Sequence, residues 1–300
     1  MNFKTINIGN VRIFYREAGD PSKPTLVLLH GFPSSSHQFQ DLIPRLEGQF
    51  HIVAPDYPGM GFSQVPDASD VHPTFDDVAS VIDRFISQCT SGQLILYLHD
   101  FGGPIGMRIA MAHPERIAGL VIQNFTMSVN GWNSARLEFY ERLGGPETPE
   151  KLAQTEQFAT VDRSMFLHKA GARSPDAINP DNWAADAYAF SVAESRTFMS
   201  RLLMNLTTNT VHYPEWAAWL KDMQPKTLIV WGRNDPIMLP AAAEFVKQIV
   251  PGTDLRFFDG GHFVLDEYAD EVATAIIETF LPAAQSEVEH DDTTKRRAVV

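Results

Sequence analysis

One cysteine, Cys89, stands in 300 residues, so an internal disulfide framework is excluded and thiolates cannot by themselves build a metal site. No apolar run approaches the length of about twenty residues that a membrane-spanning helix needs. The stretch from Met1 to Gly9 has no basic segment leading into an apolar one, which leaves no secretory leader to read. Basic residues are scarce as well: 24 Lys and Arg face 37 Asp and Glu, a formal net charge of -13. A nucleic-acid or anionic-membrane surface wants clustered Lys and Arg and is excluded on that ground. The expectation is a soluble, cytoplasmic protein, monomer or homodimer, with no metal and no cofactor, acting on a small, mainly apolar substrate and water. Also missing is Gly-x-Ser-x-Gly, so a serine nucleophile on a sharp turn is not indicated.

What the chain does have is 44% hydrophobic and 11% aromatic residues, enough for a substantial core. Alternating apolar runs flank Gly9-Asn10, a hairpin signal. Apolar runs of the kind found in strands buried on both faces follow at 25–29, 50–54, 94–98, 120–122 and 226–231, and a further strand is expected at 254–258. Between them lie helical patterns: Phe39, Leu42, Ile43 and Leu46; Val78, Val81, Ile82, Phe85 and Ile86 after a start at Thr74; Ile105, Ile109 and Ala112; and residues 240–249. Strands alternating with helices imply a mostly parallel sheet. From 126 to 222 the strand-like runs vanish and helical patterns rich in Trp, Met, Phe and Ala take over. The expected division is a core of 1–125 and 223–282, a helical cap of 126–222, and a polar, disordered tail of 283–300.

The hexapeptide Leu98-His99-Asp100-Phe101-Gly102-Gly103 ends one strand and opens one helix. An apolar run, a polar residue and paired glycines suit a strand-turn-helix elbow, where backbone approaches backbone closely. Asp100 is then a nucleophile thrust into a cleft. The same pattern also suits a helix N-cap, with the carboxylate satisfying the first amides of the helix. In an open parallel sheet ligands bind beyond the carboxyl ends of the strands. His30-Gly31-Phe32-Pro33, Asp100, Asp235 and His262 all stand at such ends, in the chain order nucleophile, acid, histidine.

With these residues the sequence resembles the α/β-hydrolase family, in particular its aspartate-nucleophile branch of epoxide hydrolases and haloalkane dehalogenases. The resemblance rests on His30-Gly31-Phe32-Pro33, Asp56-Tyr57-Pro58-Gly59-Met60-Gly61-Phe62-Ser63, His99-Asp100-Phe101-Gly102-Gly103, His113-Pro114-Glu115-Arg116, Trp231-Gly232-Arg233-Asn234-Asp235-Pro236 and Gly261-His262-Phe263. It implies an α/β-hydrolase fold, a mostly parallel central sheet flanked by helices with an inserted helical cap. It also implies Asp100 as nucleophile, His262 as base, Asp235 as its orienting acid, and the amides of Phe32 and Phe101 as an oxyanion hole. Leu98 departs from the family, which usually has a small residue two places before the nucleophile.

A carboxylate attacking an acyl group gains little, because the product is a mixed anhydride; at a saturated carbon it gives an ordinary ester. An epoxide additionally needs an acid for its opening oxygen, a task that relatives give to cap tyrosines. Tyr140, Tyr188 and Tyr213 lie in the insertion, although spacing back from Asp235 puts the usual position nearer Leu206 than Tyr213. A halide needs N–H donors, and the residues after the nucleophile and after His30-Gly31 are Phe101 and Phe32, which have none in their side chains. Asn124 and Trp132 are the substitutes on offer, and His30 is a further substrate-binding candidate. A haloacid lacks its clamp, since no Arg follows the nucleophile and Arg108 lies two helical turns on. Epoxide to diol through an Asp100 ester is the leading reading; the alternatives are a haloalkane dehalogenase and a catalytically inactive ligand-binding homologue.

Overall fold

The computed structural model describes residues 1–67 and 69–281; the tail expected at 283–300 lies outside them. Strands β1 (Asn2–Ile8) and β2 (Val11–Ala18) form the expected hairpin, with Ile8 paired to Val11 across Gly9-Asn10. They are followed by β3 (Thr25–Leu29), β4 (His51–Pro55), β5 (Leu94–His99), β6 (Ile117–Gln123), β7 (Thr227–Gly232) and β8 (Asp254–Phe258). The eight strands form one sheet in the order β1-β2-β4-β3-β5-β6-β7-β8, parallel from β4 to β8 and antiparallel at the β1 and β2 edge.

Each interior strand buries both faces, and its alternate residues feed two separate cores. Val27, Leu29, Leu96 and Leu98 pack toward α1 (Phe75–Cys89) and α2 (Gly102–Ala112), whereas Leu26, Leu28, Ile95 and Tyr97 pack toward Phe39, Leu46 and the final helix. Helix α1 starts where Thr74 accepts the Asp77 amide at 3.2 Å, and it buries Phe75, Val78, Val81, Ile82, Phe85 and Ile86. Each such side chain removed from water stabilises the fold by about 1.5–3 kcal/mol.

The helical pattern through Phe39 and Leu46 is not one helix but two short turns, Ser36–Phe39 and Ile43–Leu46. Pro44 is the reason. Inside a continuous helix it lacks the N–H and collides with the preceding turn, but near the start of a new turn it is tolerated.

Between β6 and β7 the chain is helical: α3 (Ser134–Leu143), α4 (Pro149–Glu156), α5 (Val161–Lys169), α6 (Asp181–Ser191), α7 (Ala193–Met204) and α8 (Tyr213–Met223). Two more helices, α9 (Pro240–Ile249) and α10 (Leu265–Phe280), flank the last strands. A buried polar seam ties the insertion to the core. His168 on α5 meets Asp266 on α10 at 2.6 Å and lies 3.9 Å from Asp186 on α6, and Asn182 donates to Asp266 at 2.9 Å. No helix among the described residues is long and apolar enough to cross a membrane.

Candidate active site

Asp100 follows the last residue of β5 with φ of 49°, a left-handed conformation that costs a non-glycine residue about 1–3 kcal/mol. That strain throws the side chain off the end of the sheet. The turn closes because Gly102 passes under β3, where a Cβ would stand 2.2 Å from the Leu29 carbonyl oxygen. Leu98, the family departure, is accommodated one turn further on: a Cβ on Gly106 would lie 2.1 Å from Leu98 Cδ2. The small residue that the elbow needs has moved to the helix side of the contact.

The Asp100 carboxylate is held rather than solvated. The Phe32 amide donates to Oδ1 at 2.7 Å, and the neighbouring Phe101 amide also favours the charged carboxylate. Its Oδ2 lies 3.6 Å from His262 Nε2. Burial pushes the Asp100 pKa above the ordinary carboxylate value, against the pull of His262 and the two amides.

His262 shares Nδ1 with Asp235 Oδ2 at 2.7 Å. With Nδ1–H donating there, Nε2 is the nitrogen left to face Asp100. Desolvation opposes a charge on this ring, but Asp235, and Asp100 behind it, outweigh that and hold its pKa above the usual histidine value. Asp235 is itself pinned: Oδ1 accepts the Ile237 and Met238 amides at 2.7 and 3.2 Å, and Oδ2 also accepts Asn124 Nδ2 at 2.7 Å.

The backbone of His262 is fixed as well. Gln123 Nε2 donates to its carbonyl at 3.0 Å, and His99 Nε2 lies 3.2 Å from the same oxygen. Gln38 Oε1 already accepts the Gly31 amide, so its NH2 donates to His99 Nδ1 and leaves His99 Nε2–H for the carbonyl. Nothing in the sequence flagged Gln38 or Gln123, because each acts only through a contact distant along the chain.

A narrow cavity opens onto these groups. Its walls are Phe32, Phe101, Trp132, Tyr140, Phe158, Arg163, Leu167, Leu203, Leu206 and Ile237, with Asp100 and His262 at the base. It has about 20 Å³ of room for water centres, enough for a single water, so a substrate must displace side chains of the insertion. Leu206 lines it, as the spacing from Asp235 suggested, and Tyr213 does not.

Of the proposed substrate-binding residues, Tyr140 and Trp132 reach the cavity. Tyr140 is buried, which pushes its pKa up to about 12, and its hydroxyl has no hydrogen-bond partner among the described residues. The Trp132 Nε1–H is taken, donating to the Tyr213 hydroxyl at 3.0 Å, so it is not a free halide donor. Tyr213 therefore braces Trp132 from behind.

Four expectations are corrected, Tyr213 behind Trp132 being the first. Asn124 does not face the cavity: its amide bridges Asp235 and both backbone groups of Gly232, and a left-handed φ of 38° turns it that way. Tyr188 is 54% exposed and packs on Phe62, on the outer surface. His30 is fully buried, stacked on Tyr57 at 3.8 Å and accepting its amide; desolvation drives its pKa down to about 3, so it is a neutral structural residue. Arg108 pairs with Asp76 and Asn209, away from the cavity. The cation that the sequence did not reveal is Arg163, whose position in an irregularly patterned helix gave no sign of where it would point.

Among the described residues no group of three His, Cys, Asp or Glu is placed to hold a metal ion. Comparison with known proteins agrees with the architecture. An uncharacterized hydrolase of Saccharomyces cerevisiae is 32% identical over 276 residues, covering 90% of this chain and 93% of its own. The haloalkane dehalogenase 2 of Mycobacterium tuberculosis is 26% identical over 292 residues, covering 90% and 91%. In structure, the epoxide hydrolase CorEH superposes with a TM-score of 0.78 at 19% identity, over 94% of this chain and 99% of its own. The haloalkane dehalogenase DbeA of Bradyrhizobium elkani gives 0.77 at 21% identity, over 92% and 96%. These two show a shared fold. The profile of the alpha/beta hydrolase fold matches residues 24–269, and the chain belongs to that hydrolase family.

Proposed function

We propose that this hydrolase opens small epoxides to diols through a covalent ester on Asp100, with residues 126–222 serving as a cap over the site. The observation that carries the reading is the division of labour at Asp100: the Phe32 amide holds Oδ1 while Oδ2 faces His262 Nε2. That is the arrangement of a nucleophile whose acyl carbon will later be attacked by water.

In the first half-reaction Asp100 Oδ2 attacks a saturated ring carbon. The C–O bond breaks, its electron pair passes to the departing oxygen, and Tyr140 protonates that oxygen. A phenol whose pKa is held near 12 stays protonated until such an alkoxide forms beside it. In the second, His262 takes a proton from water as the water oxygen bonds to Asp100 Cγ. The charge that develops on Oδ1 is met by the amides of Phe32 and Phe101. Collapse expels the diol oxygen, which takes the proton back from His262. The Asp100 carboxyl then returns its own proton to Tyr140. One epoxide and one water are consumed and one diol is formed.

Epoxide opening is preferred to halide displacement because the cavity offers an unengaged phenol in Tyr140, whereas the Trp132 N–H is spent on Tyr213. A single turnover in heavy-oxygen water tests the mechanism: the label should enter Asp100 and be missing from the diol. Label in the diol and none in Asp100 would mean direct attack by water. His262→Gln should accumulate an ester on the Asp100 peptide, read by its mass. Halide release without diol formation on a mixed substrate panel would reassign the enzyme as a dehalogenase.

A further inference from the structure

Arg163 is the one arginine or lysine among the residues lining the cavity, which it shares with Asp100, His262 and Tyr140. Its place on the first turn of α5 is fixed by Thr160, whose hydroxyl accepts the Arg163 amide at 3.3 Å. The guanidinium lies 5.1 Å from the Phe158 ring centroid and 4.7 Å from that of Phe166. Aromatic faces hold such a group by its plane and leave its in-plane N–H donors available.

Those donors are unused. Arg163 makes no ion pair among the described residues, and its Nε is buried without a hydrogen-bond partner. Other arginines of this acidic chain find carboxylates: Arg201 grips both oxygens of Glu147 at 2.8 and 2.9 Å, and Arg256 bridges Asp254 and Glu278. Burial lowers the Arg163 pKa, yet a guanidinium keeps its proton in proteins. The cavity therefore has a permanent positive charge with vacant planar donors, opposite apolar walls formed by Phe101, Leu167, Leu203, Leu206 and Ile237.

We propose that Arg163 binds a carboxylate at the end of the substrate remote from the reacting carbon, so that the substrates of this site are small apolar epoxides with an anionic terminus. The inference rests on the Asp100 reading above and deepens it. An anionic substrate entering this cavity meets the carboxylate of Asp100 at its base, and the Arg163 guanidinium in the same lining offsets that repulsion. Carboxylate and guanidinium match as parallel hydrogen bonds, which fixes the substrate end-on and directs its far carbon toward Asp100.

The test compares a short straight-chain terminal epoxide ending in a carboxylate with its neutral primary amide. Wild-type protein should have the higher kcat/KM on the carboxylate. Arg163→Met should lower that value about 10- to 100-fold more than it lowers the value for the amide, and Arg163→Lys should recover part of the difference. Equal losses on both substrates, or a wild-type preference for the amide, would overturn the proposal and reduce Arg163 to a packing residue. If neither epoxide turns over, the catalytic reading fails separately. The anion site is then read by calorimetry with pentanoate: weaker binding to the Met variant than to wild type supports it, and equal or undetectable binding to both overturns it. Matching melting curves of the wild-type, Lys and Met proteins confirm that the comparison is between folded states.

Discussion

Asn124 and His262 bind the same oxygen of Asp235, each at 2.7 Å. The Asn124 amide also clamps both backbone groups of Gly232 at the end of β7, so one side chain sets where the acid sits and how the histidine is aimed. Asn124→Ala should reduce turnover by about 10- to 100-fold, the usual cost of losing a group that orients a catalytic residue. Rapid-quench kinetics should place the loss in ester hydrolysis rather than ester formation. An unaltered hydrolysis rate in the folded variant would make Asn124 purely structural.

The two buried tyrosines of the insertion are expected to separate. Tyr140→Phe removes the proposed acid from the cavity and should slow Asp100 alkylation by about 10²- to 10⁴-fold. Tyr213→Phe removes only the acceptor of the Trp132 N–H, and it should cost about 1 kcal/mol of stability while leaving alkylation within a few-fold. Stopped-flow measurement of the alkylation phase distinguishes them. Similar losses in both variants would mean that the phenols act as a pair.

Leu98 and Gly106 should prove energetically coupled. Gly106→Ala forces a methyl into Leu98 and is expected to destabilise by about 1–3 kcal/mol. Combining it with Leu98→Ala should recover much of that cost, a non-additivity read from a double-mutant cycle in chemical denaturation. Additive effects would show that Leu98 has room elsewhere and that the elbow tolerates its bulk without Gly106.

The seam between insertion and core should respond to pH through His168. Burial disfavours its charge, but Asp266 and Asp186 outweigh that and lift its pKa to about 9. Because this exceeds the unfolded value of about 6.5, the stabilisation is complete below about pH 6.5 and is lost as pH climbs through about 9. His168→Gln should cost about 3–5 kcal/mol near pH 6, as breaking a buried ion pair does, and the gap to wild type should narrow by pH 9.5. Thermal unfolding across that range checks it; a pH-independent gap would mean that His168 contributes packing on Phe263 alone.

Much of the fold was legible because its signals are local. Fully buried strands read as continuous apolar runs, and Thr74 marked the start of α1 by a cap that spans only three residues. Pro44 defeated the periodicity reading, since a period records which residues are apolar and not which can donate a hydrogen bond. Asn124, His30 and Tyr188 were misplaced for another reason. Neither proximity to a strand end nor a place in the insertion says which way a side chain turns, and the left-handed backbone of Asn124 turns it onto Asp235 instead of the cavity.

The sequence by itself determined the order of strands and helices and the succession of Asp100, Asp235 and His262, because strand ends in a parallel sheet converge on one edge. Only the tertiary structure decided what surrounds them. That Trp132 gives its N–H to Tyr213, distant along the chain, and that Arg163 lines the cavity with its Nε unpartnered are set by the packed insertion. Each depends on side-chain direction after the helices of the insertion have packed, which neither composition nor periodicity encodes.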